Sequence, residues 1–357
     1  MKKAFVLLLL VLLISLFAFL YYQLRKSPLS SSQLSQNQVA NEEKILQEQK
    51  TFVFVPYWTF SDEYVDSEGI DSLIYFGIGV NQSGIDTTEL GYQKMASFLK
   101  LSSNKKERIL AVRMLDSSVN SNVVKDTGLQ DAIIDEAIKE AEEFGFDGIL
   151  LDFETSAFGF DSTVKNISNF YARFAKEVKE EKLLFYVSVF GDTYFRARAY
   201  DMKEIGKLAD KVIIMAYDFH KSRSNPGPNF PFAQRDIYGY DFKKMIDEFK
   251  GEVSGDKLVV AFGYFGYDWK VDQDGTPIAT GEPLSLLQAK ARFVEVCEFK
   301  QCVVTKNVSS ESRVTYLDEK GERHIVWFED ELSVQKKKEY LESLGIKQTA
   351  AWAYSFY

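Results

Sequence analysis

Short apolar segments alternate with amphipathic segments from Lys50 onward. Eight of the apolar segments have the length and composition of strands that are buried on both faces. They are Thr51–Tyr57, Ser72–Val80, Arg108–Met114, Gly148–Glu154, Leu183–Phe190, Lys211–Tyr217, Lys257–Tyr264 and Gln348–Tyr354. The clearest segments with apolar residues at helical spacing are Gln130–Phe144, Thr163–Glu180, Met202–Ala209, Phe242–Phe249 and Leu332–Leu344. This alternation predicts an α/β fold, a closed (β/α)8 TIM barrel rather than an open sheet.

One stretch, residues 265–326, interrupts the alternation between the seventh strand and the last helix. Within it, Leu284–Val296 is predicted to be helical. Ser312–Leu317 and Arg323–Phe328 are predicted to pair as a hairpin around a glycine turn. We therefore expect a small α+β insertion that forms one wall of a cleft.

The N-terminal residues 1–24 begin with two lysines and continue as an apolar segment long enough to cross a membrane. We predict an uncleaved signal-anchor transmembrane helix, with a cleaved signal peptide as the alternative. Residues 25–49, rich in Ser, Gln and Asn, are predicted to be a flexible tether, and residues 50–357 the barrel. Either alternative predicts that the barrel is exported, held at the cell membrane by one span or secreted.

Composition excludes several classes of function. The net charge of -9 disfavours binding to nucleic acid, and the two His and two Cys residues argue against a zinc site. No glycine-rich phosphate loop is present, so no metal or other cofactor is expected. A monomer is expected. Cys297 and Cys302 fall in the insertion, where a local disulfide and two free thiols are both open.

Candidate chemistry lies at the end of the fourth strand, where Asp152 and Glu154 follow an apolar run. Two residues apart on a strand, they lie on one face with Cα atoms roughly 6 to 7 Å apart. Crowded carboxylates repel each other, so one tends to keep its proton, and a carboxylic acid that is protonated near neutral pH is a general acid. Two solvated acids would produce the same short pattern, so partners are needed to decide.

Other strand ends supply such partners. The sixth strand ends in Tyr217 and Asp218, the eighth carries Trp352, and the first ends in Tyr57. The carboxyl ends of all barrel strands meet at one mouth. Together these residues predict a cleft with an acid, a hydroxyl donor and a flat ring on which a sugar can stack.

The motifs that carry this chemistry also carry a family resemblance. Phe146–Glu154, reading FDGILLDFE, resembles the DGxxxDxE motif of family 18 glycoside hydrolases, the chitinase-like enzymes. Met215–Asp218, reading MAYD, and Trp352 are similar to further motifs of that family. The resemblance covers Thr51 to Tyr357, and the order of its motifs resembles bacterial spore-type and peptidoglycan-associated members. The sequence departs from the family at Leu150, where many chitinases have a further aspartate.

The resemblance implies a role for each matching residue. Glu154 would be the acid and base, Asp152 would orient the N-acetyl group of the substrate, and Tyr217 would hydrogen-bond that group. The implied substrate contacts are Asp218, Trp352, Tyr57, Met215 and Asp147. The implied reaction is hydrolysis of β-1,4 bonds next to N-acetylglucosamine in chitin, peptidoglycan or a related polysaccharide.

Two other classes of function remain open. A carbohydrate-binding barrel at the cell surface without catalysis would share the fold, although such barrels usually lack the acid. An unrelated barrel enzyme, such as an aldolase, would need a lysine at a strand end or a late phosphate-binding loop. The sequence has neither feature at the expected place, which favours the hydrolase.

Overall fold

The computed structural model describes residues 50–60, 65, 67–102, 106–157, 159–306 and 309–357. Its central sheet contains eight parallel strands: β1 (Thr51–Pro56), β2 (Ser72–Asn81), β4 (Glu107–Met114), β5 (Gly148–Phe153), β6 (Leu184–Phe190), β7 (Lys211–Ala216), β8 (Leu258–Gly263) and β14 (Gln348–Trp352). Each strand pairs with the next, and β14 returns to β1, so the sheet closes on itself. The short β3 (Gly84–Ile85) adds to β2 antiparallel. The predicted barrel and all eight of its strands are confirmed.

The helices follow the predicted pattern. They are α1 (Leu90–Gln93), α2 (Met95–Leu101), α3 (Ser117–Val123), α4 (Thr127–Phe144), α5 (Asp161–Glu180), α6 (Met202–Leu208), α7 (Arg235–Tyr238), α8 (Phe242–Glu252), α9 (Leu286–Ala289) and α10 (Glu331–Ser343). Local capping sets the ends of α4. The Asp126 side chain accepts hydrogen bonds from two backbone N–H groups of its first turn, and Gly145 ends it with φ of 68°. None of the described helices has the length and apolar composition to span a bilayer, and the predicted signal-anchor, 1–24, lies outside the described residues.

The insertion is a five-stranded antiparallel sheet. Its strands are β9 (Phe265–Val271), β10 (Glu282–Ser285), β11 (Lys300–Lys306), β12 (Ser312–Leu317) and β13 (Arg323–Phe328), in the order β10–β9–β13–β12–β11. The predicted hairpin is β12–β13, with both strands at the predicted bounds. The helix predicted from Leu284 is wrong at its start, because Leu284 pairs with Gly266 in the sheet. Helical structure begins only after Ser285, whose side chain caps α9, and continues as a π-helix, Lys290–Glu295. Cys297 and Cys302 form a disulfide.

Alternation along the strands places one set of side chains inside the barrel and the other against the helices. The inner cluster is apolar and includes Phe52, Ile74, Ile109, Leu150, Tyr186, Ile213, Val259 and Ala350. Closer to the carboxyl ends, the inward positions of β4, β5 and β6 change in character. Arg113, Asp152 and Ser188 occupy them, and all three are less than 8% exposed. The fold therefore closes the bottom of the barrel with hydrocarbon and concentrates polar groups at its mouth.

Candidate active site

A cavity of about 650 Å³ opens at the carboxyl ends of the barrel strands. It is lined by six of the residues singled out from the sequence: Asp152, Glu154, Met215, Tyr217, Asp218 and Trp352. They come from three strand ends that are distant in the sequence. The closed sheet brings them together because all its strands run in the same direction.

The two carboxyl groups of β5 differ in their surroundings. Asp152 is 2% exposed and accepts a short hydrogen bond from the hydroxyl of Ser188 on β6. Glu154 follows the last residue of the strand and borders the cavity. Among the described residues, no side chain donates a hydrogen bond to the Glu154 carboxyl group. Glu154 is thus the carboxyl group that remains available to a ligand.

Burial in this site favours the neutral form of each acid. It raises the pKa of Asp152 to about 6, against the opposing effects of the Ser188 hydrogen bond and the positive charge of Arg113. Burial, and after it the negative charge of Asp152, raises the pKa of Glu154 to about 7, while Lys221 lowers it. Asp152 therefore has the lower pKa of the two, and near neutral pH Glu154 is the carboxyl group that more readily keeps its proton.

Two residues that were not predicted from the sequence hold the backbone in place at the carboxyl end of β5. Asn120 on α3 donates to the backbone oxygens of Met114 and Glu154, at 2.7 and 2.6 Å. The Tyr200 hydroxyl donates to the backbone oxygen of Phe153 at 2.7 Å. Both are buried, so β5 is held from both sides just where Glu154 leaves it.

Asp218 lies just beyond β7 with φ of 60°, in the left-handed region that is uncommon for residues other than glycine. Its carboxylate accepts a 2.8 Å hydrogen bond from Tyr267 on β9, and Lys221 lies 3.9 Å from its other oxygen. Burial raises the pKa of Asp218, while Lys221 and Tyr267 oppose the shift. The inserted sheet therefore supplies part of the site.

Aromatic rings form the floor and rim of the cavity. The Trp352 ring has its centroid 4.9 Å from that of Phe76 and 5.4 Å from that of Phe54, and it stacks on Tyr217 at 6.1 Å. The peptide bond after Trp352 is cis. Burial raises the pKa of Tyr217 well above its usual value, so its phenol remains a donor at neutral pH. A flat apolar floor beside a hydroxyl and two carboxyl groups suits a sugar ring that carries an amide.

Two of the predicted substrate contacts, Asp147 and Tyr57, are not among the residues that line the cavity. Asp147 precedes β5 instead of following it, and its carboxylate accepts a hydrogen bond from the backbone N–H of Arg108 at the opposite end of the barrel. The length of β5 places it roughly 15 Å from the cavity. Tyr57 does not line the cavity either, because its ring packs against Trp58 and the guanidinium of Arg113. The next residue, Trp58, lines the cavity instead and is 50% exposed.

The insertion contributes cavity residues that the sequence reading missed. Tyr267, Leu284 and Gln288 border the cavity together with Lys221, which follows β7. Only the position of Lys221, just after the MAYD segment, could have suggested a role. Within the described part of the chain, no group of three or more His, Cys, Asp or Glu side chains could hold a metal ion.

Comparison with known proteins identifies a family for this chain. The family model described as Glycosyl hydrolases family 18 matches residues 50–356. Over 245 residues the chain is 24% identical to the cortical fragment-lytic enzyme of Bacillus anthracis, covering 66% of this chain and 53% of that protein. The chain thus spans about half the length of this curated relative.

Solved structures show the same fold. The spore cortex-lytic enzyme SleL of Bacillus cereus superposes with a TM-score of 0.68 at 18% identity, covering 87% of this chain and 71% of that one. A mutant class V chitinase of Nicotiana tobaccum, in complex with NAG4, superposes with a TM-score of 0.73 at 16% identity, covering 85% and 94%. At such identities these likenesses establish the fold alone. The family match takes in both the barrel and its insertion, and the chain therefore belongs to family 18 of the glycosyl hydrolases.

Proposed function

We propose that this protein hydrolyses β-1,4 glycosidic bonds next to N-acetylglucosamine, with retention of configuration and with Glu154 as both acid and base. The observation that supports this most strongly is the environment of Glu154. Its carboxyl group borders a cavity with an aromatic floor, beside the buried Asp152, and its pKa is raised to about 7. General acids work best when their pKa lies close to the working pH.

In the first step, Glu154 donates its proton to the glycosidic oxygen while the bond to the anomeric carbon breaks. The carbonyl oxygen of the substrate's own acetamido group forms the new bond to that carbon, so the protein supplies no nucleophile. Asp152 accepts a hydrogen bond from the acetamido N–H, and its negative charge stabilises the oxazolinium ion that forms. Tyr217 donates a hydrogen bond to the acetamido oxygen and holds it in line for attack.

In the second step, the Glu154 carboxylate takes a proton from a water molecule, whose oxygen bonds to the anomeric carbon. The bond to the acetamido oxygen breaks, the amide re-forms, and Glu154 is again protonated. Two displacements at the same carbon leave its configuration unchanged. Trp352 and Met215 support the face of the sugar, and Asp218 holds its polar edge.

The names of the relatives favour a wall glycan as substrate. The relatives from Bacillus anthracis and Bacillus cereus are named for lysis of spore cortex or its fragments, and the plant structure contains NAG4. We propose peptidoglycan or a related wall polysaccharide, with chitin as the second candidate. Export of the barrel, tethered to the membrane by residues 1–24, is part of the same proposal.

The second candidate function is carbohydrate binding without catalysis. The same aromatic floor would serve it, but binding alone gives no reason for a carboxyl group with a raised pKa at the reacting position. Hydrolysis of a fluorogenic chitobioside separates the two functions. Release of fluorophore by the wild type supports hydrolysis. Saturable glycan binding with no release would overturn hydrolysis in favour of carbohydrate binding without catalysis. Mass spectrometry of products from purified peptidoglycan and from chitin oligomers then identifies the substrate.

A further inference from the structure

The carboxyl group of Asp152 accepts a hydrogen bond from a side chain on the neighbouring strand β6. The hydroxyl of Ser188 on β6 donates to Asp152 Oδ1, and both residues are 2% exposed. Leu151 and Val187 are the last registered pair between β5 and β6, so Asp152 and Ser188 occupy the next position along both strands. Ser188 is the only side chain in the described residues that donates a hydrogen bond to Asp152.

Beneath Asp152 the barrel offers no polar partner. Leu150, two residues earlier on the same face of β5, is fully buried and packs in the apolar inner cluster with Ala111 and Ile213. The one hydroxyl in this cluster, that of Tyr186, donates to Glu107 at the amino end of β4, the end opposite the mouth, at 2.9 Å. A carboxyl group above such a surface cannot turn downward without losing its hydrogen bonds.

Arg113 supplies a positive charge on the other side. It lies directly opposite Asp152 in the register of β4 and β5. Its guanidinium is fixed by a 2.5 Å ion pair with Glu89, a 3.3 Å hydrogen bond to the backbone oxygen of Gly77, and the rings of Tyr57 and Phe76. Asp152 therefore accepts a hydrogen bond from a hydroxyl on β6, and a cation on β4 that is paired with Glu89 acts on it through its charge.

We propose that Ser188 is a positioning residue, whose hydroxyl fixes Oδ1 of Asp152 so that Oδ2 faces the acetamido N–H of the bound sugar. In this chain the lateral hydroxyl does the orienting that a polar group beneath Asp152 would otherwise do. This inference rests on the proposed function. It predicts that Ser188 affects the reaction only through Asp152, since its hydroxyl is already committed to that carboxylate.

The groups around Asp152 determine how loss of the Ser188 hydroxyl would change the pH dependence of the reaction. They are Glu154 on its own segment, Arg113 from β4, Ser188 from β6, Tyr217 after β7, Tyr171 from α5 and Tyr200 before α6. The Ser188 hydrogen bond and the Arg113 charge lower the pKa of Asp152, whereas burial raises it. Removing the hydroxyl therefore raises that pKa, and the acidic side of the pH–rate profile moves to higher pH while Glu154 still defines the alkaline side.

The test compares Ser188→Ala with Ser188→Thr, which keeps a hydroxyl, and with Ser72→Ala. Ser72 is also fully buried in a barrel strand, at the opposite end, and its hydroxyl has no hydrogen-bond partner among the described residues. Hydrolysis of the fluorogenic chitobioside is measured over a range of pH, with the melting temperature of each variant. Ser188→Ala should lower kcat about 10-fold or more with little change in KM, as expected for losing a hydrogen bond to a charged group. The acidic limb of its pH–rate profile should move to higher pH. Ser188→Thr should restore most of kcat and most of the original position of that limb, and Ser72→Ala should match the wild type.

The outcomes separate the two claims. An active wild type whose pH profile and kcat are unchanged by Ser188→Ala would overturn the positioning role alone. Equal losses of activity and melting temperature in Ser188→Ala and Ser72→Ala, without a shift of the acidic limb, would also overturn it, because both would then act through stability. A wild type that binds the chitobioside without cleaving it would overturn the proposed function, and the positioning role with it.

Discussion

The side-chain oxygen of Asn229 accepts a 2.7 Å hydrogen bond from the backbone N–H of Asp218. Asn229 is itself fixed, because its amide donates to the backbone oxygen of Gly263 at 3.0 Å and its backbone N–H donates to Glu311 at 2.5 Å. Asp218 has a left-handed backbone, which costs roughly 1 to 3 kcal/mol for a residue that is not glycine. The conformation of Asp218 therefore depends on a buried amide that the insertion holds through Glu311.

Replacing this amide should disturb the sugar site from outside the cavity. In Asn229→Ala the backbone N–H of Asp218 loses its acceptor, and we expect kcat/KM to fall about 10-fold, the value of one buried hydrogen bond. Steady-state kinetics on the fluorogenic chitobioside measure this. Asn225→Ala in the same loop, away from Asp218, is the control. Equal activity in wild type and Asn229→Ala would show that Asp218 does not need the anchor.

Removing the acid should remove turnover while the fold remains. Glu154→Gln keeps the size of the side chain but cannot donate a proton, so the rate should fall about 10² to 10⁴-fold. The variant should still bind N-acetylglucosamine oligomers in a calorimetric titration, and Glu143→Gln, at an exposed helix position, should behave as wild type. Near-normal turnover by Glu154→Gln would rule out Glu154 as the acid.

The raised pKa values predict a narrow pH optimum. The proposed reaction needs Asp152 ionised and Glu154 protonated, so kcat/KM should fall as pH drops below about 6 and as it rises above about 7. Rates measured from about pH 4 to about pH 9 give the profile. Asp274→Asn, which changes an exposed acid of the insertion, should leave it unchanged. Activity that stayed flat well above pH 8 would contradict the assignment of Glu154.

A second buried cluster, which includes Glu311, should make a large contribution to stability. Lys337 on α10 forms ion pairs with Glu311, at 3.1 Å, and with Glu329, and all three side chains are fully buried. Because the pKa of Glu329 is raised to about 8, one of the two carboxyl groups is ionised beside Lys337 at neutral pH. Lys337→Met leaves that buried charge without its cation and should lower the free energy of unfolding by about 3 to 5 kcal/mol. Urea unfolding measures this. Lys207→Met, which removes an exposed helix ion pair, should change it by less than about 1 kcal/mol, and equal effects would mean that the buried cluster contributes little.

The same cluster predicts how stability varies with pH. Burial raises the pKa of Glu329 to about 8, above its ordinary value of 4.5. Between these values the folded protein binds more protons than the unfolded chain, so this group stabilises the fold at low pH and loses that contribution as pH rises through about 8. Glu329→Gln should therefore flatten the pH dependence of the melting temperature over this range. A slope identical to that of the wild type would contradict the shift.

The sequence predicts the barrel well because its strands are apolar runs whose pattern is local. Leu184–Phe190 and Lys211–Ala216 are such runs, and each lies within a residue or so of its predicted bounds. The inserted strands β9 and β11 mix charged, aromatic and aliphatic residues, and they are strands because of partners distant in the chain. Their composition alone does not distinguish a strand from a loop, which is why only the hairpin with its glycine turn was found.

Whether a site residue precedes or follows its strand decides at which end of the barrel it lies. Asp152 and Asp218 could be placed at the mouth because they end or follow strands, whereas Asp147 belongs to the same motif but precedes one. Ser188 could have been noticed in the sequence, because it is the one serine within the apolar strand β6 and lies on the same face as Tyr186. Tyr267 and Asn229 left none, since their roles arise from contacts between the insertion and the barrel.

Because Tyr267 of the inserted sheet hydrogen-bonds Asp218 of the barrel, deleting or exchanging that sheet should alter the barrel site. A graft of the eight strands and their helices without the inserted sheet would keep Glu154 but lose the Tyr267 hydroxyl that hydrogen-bonds Asp218 and so, on the proposed function, one support of the sugar contact. Exchanging that sheet between homologues should accordingly change which saccharides are accepted, while the bond-breaking step itself stays the same.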